Sequence, residues 1–177
     1  FEIYVYSLHG DDGSAYYRQI RDDSDQFVDL SSMENAAAAR RIQADEIDIL
    51  VDLMAYTNFA RPEIFALRPA PIQVNWLGFP GSSGADYMDY LLADPVVLPA
   101  DQAAFCTEQP AWLPECYQVN DRWQNIAETS VRRADHGLPD QGFVFCSFNQ
   151  MQKLEPVLFA VWMRILDRTP SSTLWLY

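Results

Sequence analysis

The sequence is short of positive charge. It sets 12 Lys and Arg against 25 Asp and Glu, for a formal charge of −13 at pH 7. Nucleic-acid affinity rests on neutralising many phosphates with Lys and Arg, so this balance counts against nucleic acid as a partner. Long apolar runs are also missing. None approaches the roughly 20 residues that span a bilayer, and no charged-then-apolar leader opens the chain, so no membrane partner is expected. Cysteine is scarce: Cys106, Cys116 and Cys146 are odd in number and lack CxxC spacing. They read as buried or idle thiols of a soluble, cytoplasmic protein, not as a disulfide or zinc set. The two histidines, His9 and His136, have no neighbour at metal-ligand spacing, and no metal is expected. Neither GxGxxG nor GxxxxGK[ST] occurs, which removes the dinucleotide fingerprint and the P-loop together with the dehydrogenase and ATPase readings.

What the chain does have is apolar mass, 49% of 177 residues with 14% aromatics, enough for a core and too much for disorder. Residues 1–8 (FEIYVYSL) read as a strand that runs into a polar loop, and a short helix is expected from Ser14. A second strand is expected over 26–30. Ser31 or Ser32 is the expected N-cap of a helix through the alanines at 36–39. A third strand covers 47–53, and Arg61-Pro62-Glu63 opens a helix with proline in its first turn. Strands follow over 72–77 and 87–92. After an irregular stretch a strand over 142–148, a helix over 155–168 with Pro156 at its start and a strand over 172–177 are expected. Strands alternating with helices point to βαβ units, a parallel sheet and ligands beyond the carboxyl ends of the strands. The class is α/β. The domain reading is a first Rossmann-like region over 1–117, a connector over 118–140 and the opening of a second such region over 141–177. An opening on Phe1 and an apolar finish on Trp175-Leu176-Tyr177 give the expectation that the chain is cut at both ends.

Lys153 is the single lysine and stands between a strand and a helix. A helix start offers free backbone N–H groups and the positive end of a dipole, and an ammonium beside it makes a phosphate site, with Asn149 and Gln150 as further donors. On position alone a solvated surface lysine is the competing reading. The loop Leu77-Gly78-Phe79-Pro80-Gly81-Ser82-Ser83-Gly84 brings three glycines, which allow backbone to approach a ligand, though glycine-serine loops are most often plain turns. Asp23-Ser24-Asp25 has the carboxylate-x-carboxylate pattern of some metal sites but reads as a solvated turn. Asp48 and Asp52 are expected on one side of one strand, too isolated for an acid/base pair. Arg61 and Arg68 could meet phosphate and read first as salt-bridged surface.

The run from Arg61 through Ala70-Pro71-Ile72-Gln73-Val74-Asn75-Trp76 to Gly84 resembles the protein O-GlcNAc transferase family, which includes the SPINDLY O-fucosyltransferases. The resemblance continues at Met88-Asp89-Tyr90, at Phe145-Cys146-Ser147-Phe148-Asn149-Gln150-Met151-Gln152-Lys153 and at Pro170-Ser171-Ser172-Thr173-Leu174-Trp175. It covers nearly the whole chain and is thinnest over 94–140. It implies a GT-B glycosyltransferase: two Rossmann-like domains holding a UDP-sugar, preceded by tetratricopeptide repeats that choose the protein acceptor. It further implies transfer of GlcNAc from UDP-GlcNAc to Ser or Thr hydroxyls of proteins, inverting and without metal or cofactor. Carried over residue by residue, Lys153 would stabilise the leaving diphosphate, Gln150 would contact the nucleotide, and Leu77, Gly78 and Pro80 would face the sugar. Gln152 departs from the tyrosine the family usually places there. The family's histidines and its remaining nucleotide contacts fall outside this span, so the chain by itself is expected to be inactive. A fucosyl or other donor, and a non-catalytic α/β association module, are the readings set against this one.

Overall fold

The computed structural model describes residues 1–124 and 128–176; residues 125–127 of the expected connector and Tyr177 of the expected last strand lie outside it. Contacts divide the chain into two units, Phe1–Asp121 and Arg122–Tyr177. The first unit opens with β1 (Tyr4–Ser7), α1 (Ala15–Asp23), β2 (Gln26–Asp29) and α2 (Asn35–Ala44). It continues with β3 (Ile49–Asp52), α3 (Pro62–Ala66), β4 (Ile72–Asn75), β5 (Tyr90–Ala93) and β6 (Gln109–Trp112). β1 and β2 form one parallel pair, and β3-β4-β5-β6 form a parallel four-stranded sheet in sequence order. In the second unit β7 (Val144–Ser147) and β8 (Thr173–Leu176) pair in parallel, joined by α4 (Pro156–Arg168). The α/β class and parallel pairing follow the reading of the sequence.

The core of the first unit gathers Val28 and Leu30 from the β2 edge, Ala38, Ala39 and Ile42 from α2, Leu50 from β3, and Ile64 and Phe65 from α3. The alanine run has a packing purpose: Ala38 and Ala39 are buried, and their small side chains let α2 lie close to the strands. Along β3 burial alternates, with Leu50 and Asp52 buried and Ile49 and Val51 exposed, as period two requires of a sheet covered on one face.

Three local expectations are corrected. The cap of α2 is Glu34, not Ser31 or Ser32, because Asp29 accepts the Ser31 N–H at 2.8 Å and draws both serines into the preceding turn. Asp48 precedes β3 and is exposed, whereas Asp52 is buried and accepts the N–H groups of Met54 (2.9 Å) and Ala55 (3.1 Å), so the two do not share a face. Arg61 makes no ion pair among the described residues; its guanidinium donates to Asn35 Oδ1 at 2.7 Å and to the Leu30 carbonyl at 2.9 Å, stapling α3 to the β2–α2 turn. Arg68, as expected, pairs with Asp89 at 3.1 Å. All three cysteines are free, in keeping with the absence of a disulfide set; Cys106 is partly buried and Cys116 and Cys146 are exposed.

The sequence reading also passed over a strand. β6 is Gln-Pro-Ala-Trp, with no β-branched residue and a proline, and it lies at the edge of its sheet, where a missing N–H is tolerated.

Candidate functional site

The loop of residues 77–84 leaves the carboxyl end of β4, a central strand, where ligands meet parallel α/β sheets. Its entry is tightly built. The Trp76 N–H donates to the Asp52 carbonyl at 2.9 Å and the Trp76 indole N–H to the Tyr117 carbonyl at 2.8 Å, so the chain is held on both sides before it turns. Leu77 then adopts φ 79°, a left-handed conformation that costs a non-glycine residue on the order of 1 kcal/mol and is found where surroundings over-determine the backbone. At Gly78 the chain runs so close to the β3–α3 loop that a Cβ would sit 2.3 Å from the Leu53 carbonyl oxygen. Glycine is required there by contact with backbone. Phe79 lies edge-on to Tyr56 at a ring separation of 5.9 Å, and Pro80 is exposed.

The return half of the loop is held from beneath. Asn75, wholly buried at the end of β4, donates from Nδ2 to the Gly81 carbonyl at 3.1 Å. Glu108, 2% exposed, accepts from Ser82 Oγ at 2.6 Å, from the Ser83 N–H at 2.7 Å, from Ser83 Oγ at 2.5 Å and from Thr107 Oγ1 at 3.1 Å. Burial pushes the Glu108 carboxyl up, but the hydroxyls of Ser82 and Ser83 and the Ser83 N–H together hold it below its ordinary value. It is therefore a charged, fully engaged carboxylate. Glu108 carries no signal in the sequence, because it immediately precedes β6, a strand with little propensity of its own, and no motif marks it.

In the second unit β7 leads into a 3-10 turn, Met151–Lys153, closed by the Lys153 N–H on the Gln150 carbonyl at 2.9 Å. Lys153 is exposed and pairs with no carboxylate among the described residues. Gln152 donates from Nε2 to Gln150 Oε1 at 2.8 Å, which engages the Gln150 oxygen and leaves its NH2 group as a donor. The helix terminus itself is less open than its position implied. Pro156 lacks an N–H, and the Glu155 side chain caps α4 by accepting from Leu158 N at 3.2 Å. That carboxylate offsets part of the dipole's positive end, so Lys153 is the principal source of positive charge at this turn. Leu77, Gly78 and Pro80 thus share one loop of the first unit, and Gln150 and Lys153 one turn of the second.

Asp25 of the carboxylate-x-carboxylate segment accepts the Ile3 N–H at 2.7 Å, a structural contact between β1 and the approach to β2. Among the described residues no group of three or more His, Cys, Asp or Glu is arranged to hold a metal ion.

Parallel strands joined through helices, with loops gathered at their carboxyl ends, define an α/β protein of the Rossmann-like kind. The chain belongs to Glycosyl transferase family 41, whose sequence profile matches residues 1–133 and 124–177. It is 42% identical over 180 residues to the probable UDP-N-acetylglucosamine–peptide N-acetylglucosaminyltransferase SEC of Arabidopsis thaliana, a match covering 99% of this chain and 18% of that protein. To the Arabidopsis protein of the same description named SPINDLY it is 33% identical over 151 residues, covering 82% of this chain and 16% of the relative. In structure it resembles a Thermobaculum terrenum O-GlcNAc transferase mutant, K341M, with a TM-score of 0.84 and 30% identity over 99% of this chain and 32% of that one. The GT-B likeness follows from that match. The chain spans under a third of each of these relatives. No helix among the described residues is long and apolar enough to cross a membrane.

Proposed function

We propose that this chain is part of the catalytic region of a cytoplasmic protein glycosyltransferase that moves GlcNAc from UDP-GlcNAc to Ser or Thr hydroxyls. The observation that carries the reading is 42% identity across 99% of the chain to a relative described as a UDP-N-acetylglucosamine–peptide transferase. In this reaction the acceptor oxygen attacks the anomeric carbon and inverts it. The bond to the diphosphate breaks, UDP leaves with the electron pair, and the hydroxyl proton is released. Charge develops on the departing phosphate, so the group needed there is a fixed cation. The exposed ammonium of Lys153, paired with no carboxylate among the described residues, suits that task without a metal ion. The Gln150 side-chain NH2, whose oxygen is engaged by Gln152, suits a nucleotide acceptor, and Leu77, Gly78 and Pro80 form the loop that would face the sugar.

The test is donor turnover by the full-length protein with UDP-GlcNAc, UDP-glucose and GDP-fucose, wild type against Lys153→Ala. Activity with UDP-GlcNAc that falls about 10²–10³-fold in the variant supports the reading, the size expected for removal of one preorganised charge partner. Turnover of GDP-fucose alone moves the protein to a fucosyl donor, and turnover of none leaves a non-catalytic module.

A further inference from the structure

We infer that Glu108 is a positioning residue for the donor, a buried carboxylate clamp that holds residues 81–84 and through them the sugar-facing segment 77–80. The inference rests on the donor role proposed above for that loop. Three observations carry it. First, Glu108 spends both oxygens on the loop: Oε1 takes the N–H and hydroxyl of Ser83, and Oε2 takes the hydroxyl of Ser82. Second, the clamp is itself fixed, since Glu108 is buried and the next residue, Gln109, is registered on β5 by its N–H to the Asp89 carbonyl at 2.9 Å. Third, the loop has little of its own to hold it. Leu77 is in a left-handed conformation, Gly84 has φ 67°, and the exposed Pro80 has no N–H to donate. A loop with two left-handed residues and few internal bonds keeps one shape only if an outside group fixes it. A carboxylate that accepts three donors from two successive residues does so more firmly than a neutral side chain, because charge-assisted hydrogen bonds are the stronger kind.

The arrangement also accounts for the two serines. Ser82 and Ser83 are consecutive, and both direct their hydroxyls to one carboxylate while the Ser82 hydroxyl accepts the Gly84 N–H at 3.1 Å. They serve Glu108 and the turn, not the acceptor chemistry.

The experiment uses the full-length protein with Glu108→Ala, Glu108→Gln and Tyr6→Phe. The last removes the bond from the Tyr6 hydroxyl to Asp45, at 2.8 Å in the β1–α2 region, and touches no residue of 77–84. Glu108→Ala is expected to raise the KM for UDP-GlcNAc about tenfold, with the KM for an acceptor peptide unchanged, as for a donor group displaced by a fraction of an ångström. Glu108→Gln, which keeps one accepting oxygen, is expected to recover part of that loss. Tyr6→Phe is expected to lower thermal stability and leave the donor KM alone. Hydrogen exchange at the Ser83 and Gly84 amides reads the clamp without any chemistry, and Glu108→Ala should deprotect both. A donor KM unmoved by Glu108→Ala, or moved as far by Tyr6→Phe, overturns the positioning role. Unaltered exchange overturns the clamp itself. If the amides respond as expected while wild type turns over no UDP-GlcNAc, the donor reading fails and the clamp stands.

Discussion

Gly78→Ala tests whether the shape of the 77–84 loop matters as much as its chemistry. The added Cβ would lie 2.3 Å from the Leu53 carbonyl oxygen, 2.9 Å from Met54 Cα and 3.0 Å from the Met54 carbonyl oxygen. All three are main-chain atoms at the end of β3, so no rotamer change relieves the overlap, and the two segments must part by about 1 Å to reach ordinary contact. Parting them pulls against the Trp76 N–H bond to the Asp52 carbonyl and displaces Leu77 and Pro80 with it. A displacement of about 1 Å at a group that orients a substrate costs about 10²-fold in turnover, and overpacking of this kind costs about 1–3 kcal/mol of stability. The assay is kcat/KM for UDP-GlcNAc together with the melting temperature, wild type against variant. A loss near two orders of magnitude with a melting shift of a few degrees is expected. A variant with full kcat/KM would refute the argument that this close approach sets the loop for the donor. A variant that loses stability but keeps its kcat/KM would make Gly78 a packing residue only.

The second unit depends on a similar approach. Gly142 has φ 100°, and a Cβ there would fall 1.9 Å from the Ser171 carbonyl oxygen, so Gly142→Ala is expected to cost about 2–4 kcal/mol, visible as an early unfolding step in calorimetry. Calorimetry with no such step would show that the entries to β7 and β8 part freely. Stability is also expected to depend on pH through Glu108. The folded-state value of Glu108 lies below its ordinary one, so its stabilising contribution is complete above about pH 4.3, the unfolded value, and is lost as pH falls through the depressed folded value. The wild type should therefore lose stability more steeply than Glu108→Gln as pH drops below about 4, and parallel acid denaturation curves would contradict this.

The parts of this protein that could be read from its sequence are those where local chemistry and fold agree. Residues 26–30 and 72–77 mix β-branched and aromatic residues with polar ones between turns, and they contain β2 and β4. Pro62 at a helix start became the first residue of α3. What stayed hidden was set by contacts distant in sequence. β6 is a strand because β5 offers it a ladder, although Gln-Pro-Ala-Trp has little strand propensity of its own, and the carboxylate just before it had no local signal. The candidate site shows the same division. Lys153 was visible as a lone lysine between a strand and a helix with Pro156 at its start, but the Glu155 side chain that caps that helix on the Leu158 N–H needed the helix terminus in three dimensions. The glycines of residues 77–84 were visible as a loop with room for backbone. What holds the loop is Asn75 at its entry, the Tyr56 hydroxyl on the Ser83 carbonyl and Glu108, 25 residues beyond Ser83 in the chain. A serine pair after a glycine reads as a plain turn until the carboxylate that binds it is in place. The 25 residues between Ser83 and Glu108 are therefore the physical reason that a loop legible only as a glycine-serine turn proves to be tied to a buried carboxylate at the end of the sheet.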